Sequence, residues 1–326
     1  MMSRKNNFKI IVTLGPSILN EDKLKKIDSE YNCIYRINGA HVDEEQAERL
    51  VSQVRNILPK AHIMLCLPGN KIRTANLSEP IRLIKGESFI LHNYEINYPH
   101  FSNYLKKGDI VLSNDSIFTF EVVNVKKTFI KFLSHSDGLL LSNKGLNIRK
   151  EYKNVPFLFD KDRRLIDVVQ SSGIDHLALS FVRTADDIRE VKGLLKDTNI
   201  NIIAKIETFA ATQNLKTIFD EVGSVLIDRG DLSTEVGILK LAMFQDRIVD
   251  SALKAGKDVY LATHFLKNME TKPVPLISEI IDLTKTLRMG ISGIQLSEET
   301  AIGKYPIECI KLIFDVLKTK DEGDKI

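Results

Sequence analysis

Cysteine occurs only three times in the 326 residues, at Cys33, Cys66 and Cys309, widely spaced and never as C-x-x-C. An odd, scattered set of this kind supplies neither a disulfide framework nor a cysteine-rich zinc site. Excess charge is equally scarce: 46 Lys and Arg stand against 43 Asp and Glu, a formal net of +3. That balance excludes a nucleic-acid binder working through bulk electrostatics, which would carry a basic domain or stripe. No stretch approaches the roughly 20 consecutive apolar residues that span a bilayer, so no membrane partner is expected. Met1 to Lys9 is polar and basic and runs straight into a short apolar segment, which is not a signal-peptide pattern. Glycine-rich phosphate loops of the Walker or Rossmann type are missing too. What is present, 43% hydrophobic and 27% charged residues, is the profile of a soluble globular protein, with a cytoplasmic location expected. The length allows one large domain or two of ordinary size.

Short apolar runs recur along the chain: Ile10–Leu14, Asn32–Ile37, Ala61–Leu65, His176–Ser180, Asn201–Ile206, Ser224–Ile227, Asp258–Ala262 and Gly293–Leu296. Near-continuous runs of this length suit strands covered on both faces of a parallel sheet. Helical spacing fills the intervals at Glu21–Asp28, Asp43–Ile57, Lys161–Ser171, Thr184–Leu195, Phe209–Asp220, Leu239–Ala255, Leu276–Met289 and Ile307–Lys318. The alternation predicts an α/β protein with the count of a (β/α)8 TIM barrel, a doubly wound open sheet being the other arrangement the pattern allows. The charged tail Lys318–Ile326 reads as a fraying end.

Between about Asn76 and Asn143 the helical rhythm stops. Ser88–His92, Asp109–Ser113, Phe118–Val125 and Phe129–Leu133 read as strands, with turn chemistry at Gly86, Gly108, Asn114–Asp115 and Asp137–Gly138. The expectation is a small β-rich domain, residues 75–144, inserted after the third strand of a barrel made of residues 1–74 and 145–326. Insertions after barrel strands lie at the C-terminal face, where barrel active sites are built, so a lid is one reading and an interface-forming decoration the other.

Strand ends are where such a barrel places its chemistry. The fifth run ends with Lys205 and Glu207, two apart on one side of a strand. The sixth ends Asp228-Arg229-Gly230-Asp231, with Asp231 able to cap the next helix; the seventh ends Ala262-Thr263-His264 and the eighth Ser297-Glu298-Glu299-Thr300. Arg36 and Asn38 end the second run, and Arg73 follows the third. Glu207 and Asp231 could hold Mg²⁺ or Mn²⁺, which take one or two carboxylates and leave their other positions to water and substrate oxygens. Lys205, Arg36 and Arg73 would face an anionic substrate. A ring of barrel-mouth salt bridges is the bland alternative, and it is the joint occurrence on successive strands that favours a site. His41 and His264 draw notice only by lying next to these groups; His62, His92, His100, His135 and His176 lack metal-ligand spacing.

At these residues the chain resembles pyruvate kinases, in order and over nearly its whole length. Lys9–Ser17 is similar to that family's K-I-V-x-T-I-G-P-x-S, Arg36–His41 to R-L-N-F-S-H, and Leu65–Thr74 to L-D-T-K-G-P-E-I-R-T. Lys144–Asn147 resembles K-G-V-N, Ser180–Arg183 S-F-I-R, and Leu296–Ala301 L-S-G-E-T-A; Lys205-Ile206-Glu207, Arg229–Leu232 and Ala262-Thr263 stand between. The resemblance implies a Mg²⁺-dependent phosphotransferase acting on phosphoenolpyruvate or pyruvate, with ADP or ATP as partner, in glycolysis. It implies Glu207 and Asp231 as metal ligands, and Lys205, Arg36 and Arg73 as groups that stabilise the phosphoryl in flight. Thr263, Gly230 and Asp231 would hold the substrate carboxylate, and Asn38, His41 and Lys144 would lie on the nucleotide side.

The departures are specific. Family ligands of a monovalent cation are replaced by Ala40, Cys66 and Leu67, leaving Asn38 alone, so K⁺ is not expected; Lys71 is the candidate for the missing charge. Pro68, His264 and Glu298 replace a lysine, a glutamine and a glycine, and Pro275–Glu279 has lost the arginine of P-T-R-A-E. The lid is shorter than usual, and no C-terminal regulatory domain is expected after the eighth helix. A repurposed enzyme of phosphoenolpyruvate or pyruvate enolate and a non-catalytic binding protein are the competing readings. A homo-oligomer remains compatible with the sequence.

Overall fold

In the computed structural model, residues 8–114, 117–148, 155–196 and 199–323 are described. The expected turn residue Asp115, residues 1–7 of the polar N-terminus and the last three residues of the charged tail lie outside them. Eight parallel strands close into a barrel: β1 (Lys9–Thr13), β2 (Cys33–Asn38), β3 (His62–Cys66), β4 (His176–Leu179), β5 (Asn201–Lys205), β6 (Ser224–Asp228), β7 (Asp258–Ala262) and β8 (Gly293–Leu296). Closure pairs the first strand with the last, Lys9 opposite Gly293 and Val12 opposite Leu296. The chain is therefore a TIM barrel of the α/β class, and the open-sheet alternative is excluded.

Strand side chains alternate between two layers. Ile10, Val12, Ile63, Leu65, Leu177, Ala204, Val225 and Ile227 pack outward under the helices in one large core. Their neighbours Ile11, Ile34, Met64, Ala178, Ile203, Leu226 and Tyr260 fill the barrel interior. Burying one such aliphatic side chain is worth about 1.5–3 kcal/mol. The same alternation carries Arg36, Cys66, Lys205 and Asp228 inward, each two residues past an interior apolar residue, at the C-terminal ends of their strands. Gly293 on β8 has no room for a side chain, because a Cβ there would come within 2.9 Å of the Tyr260 ring.

The helices occupy the expected intervals with one break. The pattern over Phe209–Asp220 predicts a single helix, but Phe209–Gln213 and Leu215–Glu221 are separate. Asn214 divides them: its side-chain amide donates to the carbonyls of Ala210 (2.9 Å) and Arg183 (3.1 Å), ending the first helix. The last helix, Pro306–Gly323, runs on through Lys318, where the sequence suggested fraying. No helix among the described residues is long and apolar enough to cross a membrane.

The chain divides into two compact units, residues 1–69 with 157–326, and residues 70–156. The smaller unit is an antiparallel β structure. Its five-stranded sheet runs in the order Leu146–Ile148, Ile110–Ser113, Phe118–Val125, Phe129–Ser134, Ser88–His92, and a separate pair joins Ile81–Leu83 to Gly138–Leu140. Its own core is aromatic-rich, centred on Phe101, Phe120 and Phe132. The unit extends beyond the 75–144 expected from sequence. Arg73 pairs with Gly145, and Thr74 exchanges hydrogen bonds of 2.9 Å with Lys144 in both directions.

Candidate active site at the strand ends

Lys205 is the centre of the barrel's charged cluster. Its ammonium, almost fully buried, lies 2.7 Å from Glu207 Oε2, 3.1 Å from Asp228 Oδ2 and 3.3 Å from Ser180 Oγ. Burial works against that charge, but the Glu207 and Asp228 carboxylates outweigh it and hold the ammonium above the usual lysine range. Glu207 lies just past the end of β5, fully buried, and its Oε1 accepts from the Phe181 amide at 2.8 Å. Burial, opposed by Lys205 and reinforced by Asp231 and Asp228, lifts its carboxyl to about 7. Burial also works to raise Asp228, but Lys205, the Thr263 hydroxyl and Arg36 prevail and keep it below the usual carboxylate range.

One carboxylate here has no assigned part in the sequence reading. Asp228 closes β6 on the inward face, ion-pairs with Lys205 and accepts the Thr263 hydroxyl at 2.6 Å. Its strand parity, two residues after the interior Leu226, was the available signal. Asp228 also takes the place expected of Asp231: the helix Arg229–Val236 begins with Asp228 at its N-cap, and Asp231 sits inside the first turn. The helix begins earlier than supposed because Gly230, set close against Thr263, is helical rather than a turn residue.

Ligand oxygens of Glu207, Asp228 and Asp231 all lie within 4.8 Å of one another. Three carboxylates facing one ammonium leave an excess of negative charge made of hard oxygen donors, which suits Mg²⁺ or Mn²⁺ better than a soft metal. Arg36, on β2, is likewise buried; its Nε donates to Cys66 Sγ (3.0 Å) and its Nη1 to Thr13 Oγ1 (2.9 Å). Backbone strain gathers in the same place. Phe181, Thr263 and His264 have φ of 58°, 81° and 58°, and non-glycine residues held there cost on the order of 1–3 kcal/mol each.

Arg36, Lys205, Glu207, Gly230, Asp231 and Thr263 all belong to the barrel unit, at the C-terminal ends of β2, β5, β6 and β7. Asn38 ends β2, and its side chain accepts from the Ala40 amide at 3.3 Å; His41 follows, exposed. Arg73 and Lys144 belong to the smaller unit, where Arg73 Nη1 donates to the Asn143 carbonyl at 3.2 Å. Of the eighth strand's polar end, Glu299 serves the backbone, accepting from the Ser297 amide at 2.8 Å, and Thr300 is bonded to Thr13.

Known proteins show the same arrangement of sequence. The family model described as "Pyruvate kinase, barrel domain" matches residues 5–310. The pyruvate kinase of Thermococcus litoralis is 30% identical over 330 residues, covering 96% of this chain and 70% of that protein. That of Aeropyrum pernix is 32% identical over 314 residues, covering 93% and 68%. That of Buchnera aphidicola is 32% identical over 349 residues, covering 100% and 72%. Because the match runs from before β1 to beyond β8, taking in every strand that contributes to the charged cluster, the chain belongs to the pyruvate kinase family.

Proposed function

We propose that the chain is a phosphotransferase that uses Mg²⁺ or Mn²⁺ to move a phosphoryl group between phosphoenolpyruvate and ADP. The observation that carries this reading is the buried Lys205 ammonium, held between Glu207 and Asp228 at the mouth of a barrel of this family. Phosphoryl transfer needs positioning and charge stabilisation far more than covalent work from protein groups. Lys205 and Arg36 supply positive charge toward the transferring phosphoryl. Glu207 and Asp231, with Asp228 beside them, would hold the divalent ion, which when bound neutralises charge on phosphoryl and carboxylate oxygens. The substrate carboxylate would rest on the first turn of helix Arg229–Val236, at Gly230 and Asp231, where the dipole of the helix and the direction of its first-turn amides favour an anion. The Thr263 hydroxyl lies next to that turn.

A K⁺ requirement does not fit these residues. The position of Cys66 offers a thiol already engaged by Arg36, Leu67 is a buried isobutyl group, and Ala40 has only a methyl. A monovalent cation needs a cage of oxygens, and a partly desolvated ion without them is strongly disfavoured. Exchange of K⁺ for tetramethylammonium at fixed Mg²⁺ and ionic strength should leave the rate unchanged; a strong drop would show that other oxygens rebuild the cation site.

Pyruvate formation from phosphoenolpyruvate, with Mg²⁺ and with or without ADP, tests the reading. The expected result is ADP-dependent release of pyruvate. Release without ADP, or only with a different acceptor from a panel, would make the chain a repurposed enzyme of the same ligand. Binding of phosphoenolpyruvate with no pyruvate from any acceptor would make it a binding protein.

A further inference from the structure

Thr263 is a β-branched residue at φ 81°, followed by His264 at φ 58°. Left to itself this backbone would return to the β or right-handed region. Three consecutive residues from the neighbouring strand end grip the three groups of Thr263. Asp228 accepts its hydroxyl at 2.6 Å. Arg229 takes its carbonyl twice, with Nε at 3.0 Å and Nη2 at 2.6 Å. Gly230 leaves room for its methyl, since a Cβ at that position would stand 3.1 Å from Thr263 Cγ2. The remaining Arg229 nitrogen, Nη1, pairs with Asp282 Oδ2 at 2.7 Å on helix Ile277–Arg288, and the guanidinium lies 3.9 Å above the buried Phe265 ring.

We infer that Arg229 is a positioning residue: by holding the Thr263 carbonyl in the left-handed turn, it aims the Thr263 hydroxyl at the carboxylate cluster. The inference rests on the reading above, in which Thr263 serves the substrate. A salt bridge to Asp282 alone would need one nitrogen. Here all three guanidinium nitrogens and one face of the plane are engaged, an arrangement open to a planar fork and not to the single nitrogen of lysine. If the clamp is released, the hydroxyl leaves the cluster while the charges of Lys205, Glu207 and Asp231 stay in place. The loss should then fall on the chemical step and on phosphoenolpyruvate, leaving the nucleotide KM alone.

The test uses the full chain with Arg229→Lys, Arg229→Ala and Asp282→Asn, each checked for an intact melting transition. Displacing a positioned group by about 1 Å can cost about 10²-fold. Arg229→Ala should therefore lower kcat/KM for phosphoenolpyruvate by about that factor, and added guanidinium chloride at millimolar concentration should restore part of it. Arg229→Lys should lose as much despite keeping the charge, and Asp282→Asn markedly less. Wild-type kinetics in folded Arg229→Lys would overturn the inference, as would a loss in Arg229→Ala that guanidinium leaves untouched. Should Arg229→Ala not fold, the other two variants decide. Should the wild-type chain give no turnover, the proposed function fails separately, and a crystal structure of Arg229→Lys judges the clamp. Thr263 leaving positive φ supports it, and an unchanged turn with the Asp228 bond intact sinks it.

Discussion

At the C-terminal ends of the strands the inward positions are Arg36, Cys66, Lys205 and Asp228; at the N-terminal ends of β4, β5 and β6 they are His176, Asn201 and Ser224. Both layers lie inside the same barrel, yet they handle polarity in opposite ways. The first concentrates full charges, with one ammonium against three carboxylates. The second holds a neutral ring: Asn201 donates to His176 Nδ1 at 3.1 Å, and burial, with Lys9 and His62 adding to it and Asp175 opposing, lowers the imidazole to about 4. Full charges at that end, Lys9 among them, surround this ring, and farther out Arg55 pairs with Asp175 at 2.9 Å and caps the carbonyls of Gly173 and Ala61. At this mouth the inward layer itself is made of neutral side chains, so buried full charge in that layer is not a general requirement of the barrel. Replacing a buried ion pair by packed apolar groups is often neutral for stability, which is in keeping with the catalytic part proposed for this one.

Lys205 is where that contrast is most exposed to test. Lys205→Met should reduce turnover by about 10³-fold or more while substrate affinity changes little, because charge stabilisation acts mainly in the transition state. Steady-state kinetics with a binding titration separates the two; preserved turnover would reduce the lysine to a structural ion pair. Next in size is the metal. The Glu207→Ala, Asp231→Ala double variant should weaken Mn²⁺ affinity by at least about 10²-fold in calorimetric titration, since two hard ligands are lost. Unchanged affinity would remove these residues from the metal site.

Two smaller effects probe the opposite mouth. The folded chain binds a proton at His176 less readily than the unfolded chain, whose histidine titrates near 6.5. Stability is therefore full above that pH and declines as pH falls toward 4, by about 3 kcal/mol in all. His176→Asn should flatten this part of the pH–stability curve; an identical slope would assign the acid sensitivity elsewhere. Arg55→Ala should cost about 1–2 kcal/mol in chemical denaturation and leave kcat/KM within about twofold. A catalytic defect in that variant would break the division between the two mouths.

The barrel was legible because each strand is a continuous apolar run covered on both faces, a pattern that survives without knowledge of pairing partners. The charged residues of the site were legible for a related reason: Lys205 ends, and Arg36 nearly ends, an apolar strand where a fold has no need of charge. Asp228 escaped because it stands beside Arg229 and Asp231, and adjacency in sequence concealed that only strand parity distinguishes it. The helix Arg229–Val236 escaped because its apolar residues make no stripe, with Leu232 and Thr234 the buried ones. In the smaller unit, Ile81–Leu83 and Gly138–Leu140 are three residues each, too short for alternation to register. The clamp on Thr263 was beyond reach altogether, since neither φ nor a carbonyl's direction is written in residue type.

The seam between β1 and β8 sets a schedule for the ribosome. Thr13 Oγ1 donates to the Leu296 carbonyl and the Thr13 amide to Thr300 Oγ1, across separations of 283 and 287 residues. At about 5–20 residues per second, roughly 15–60 s of synthesis separate the first half of that seam from the second. Through that interval β1 has β2 on one side and bare amides and carbonyls on the other. An unpaired strand edge of that kind invites wrong partners. Thr13 is also the residue that receives Arg36 Nη1, so the guanidinium acquires its final support only when the last barrel strand arrives. The seam that backs Thr13, and through it Arg36, is thus completed last, and activity should appear only after β8 has been made.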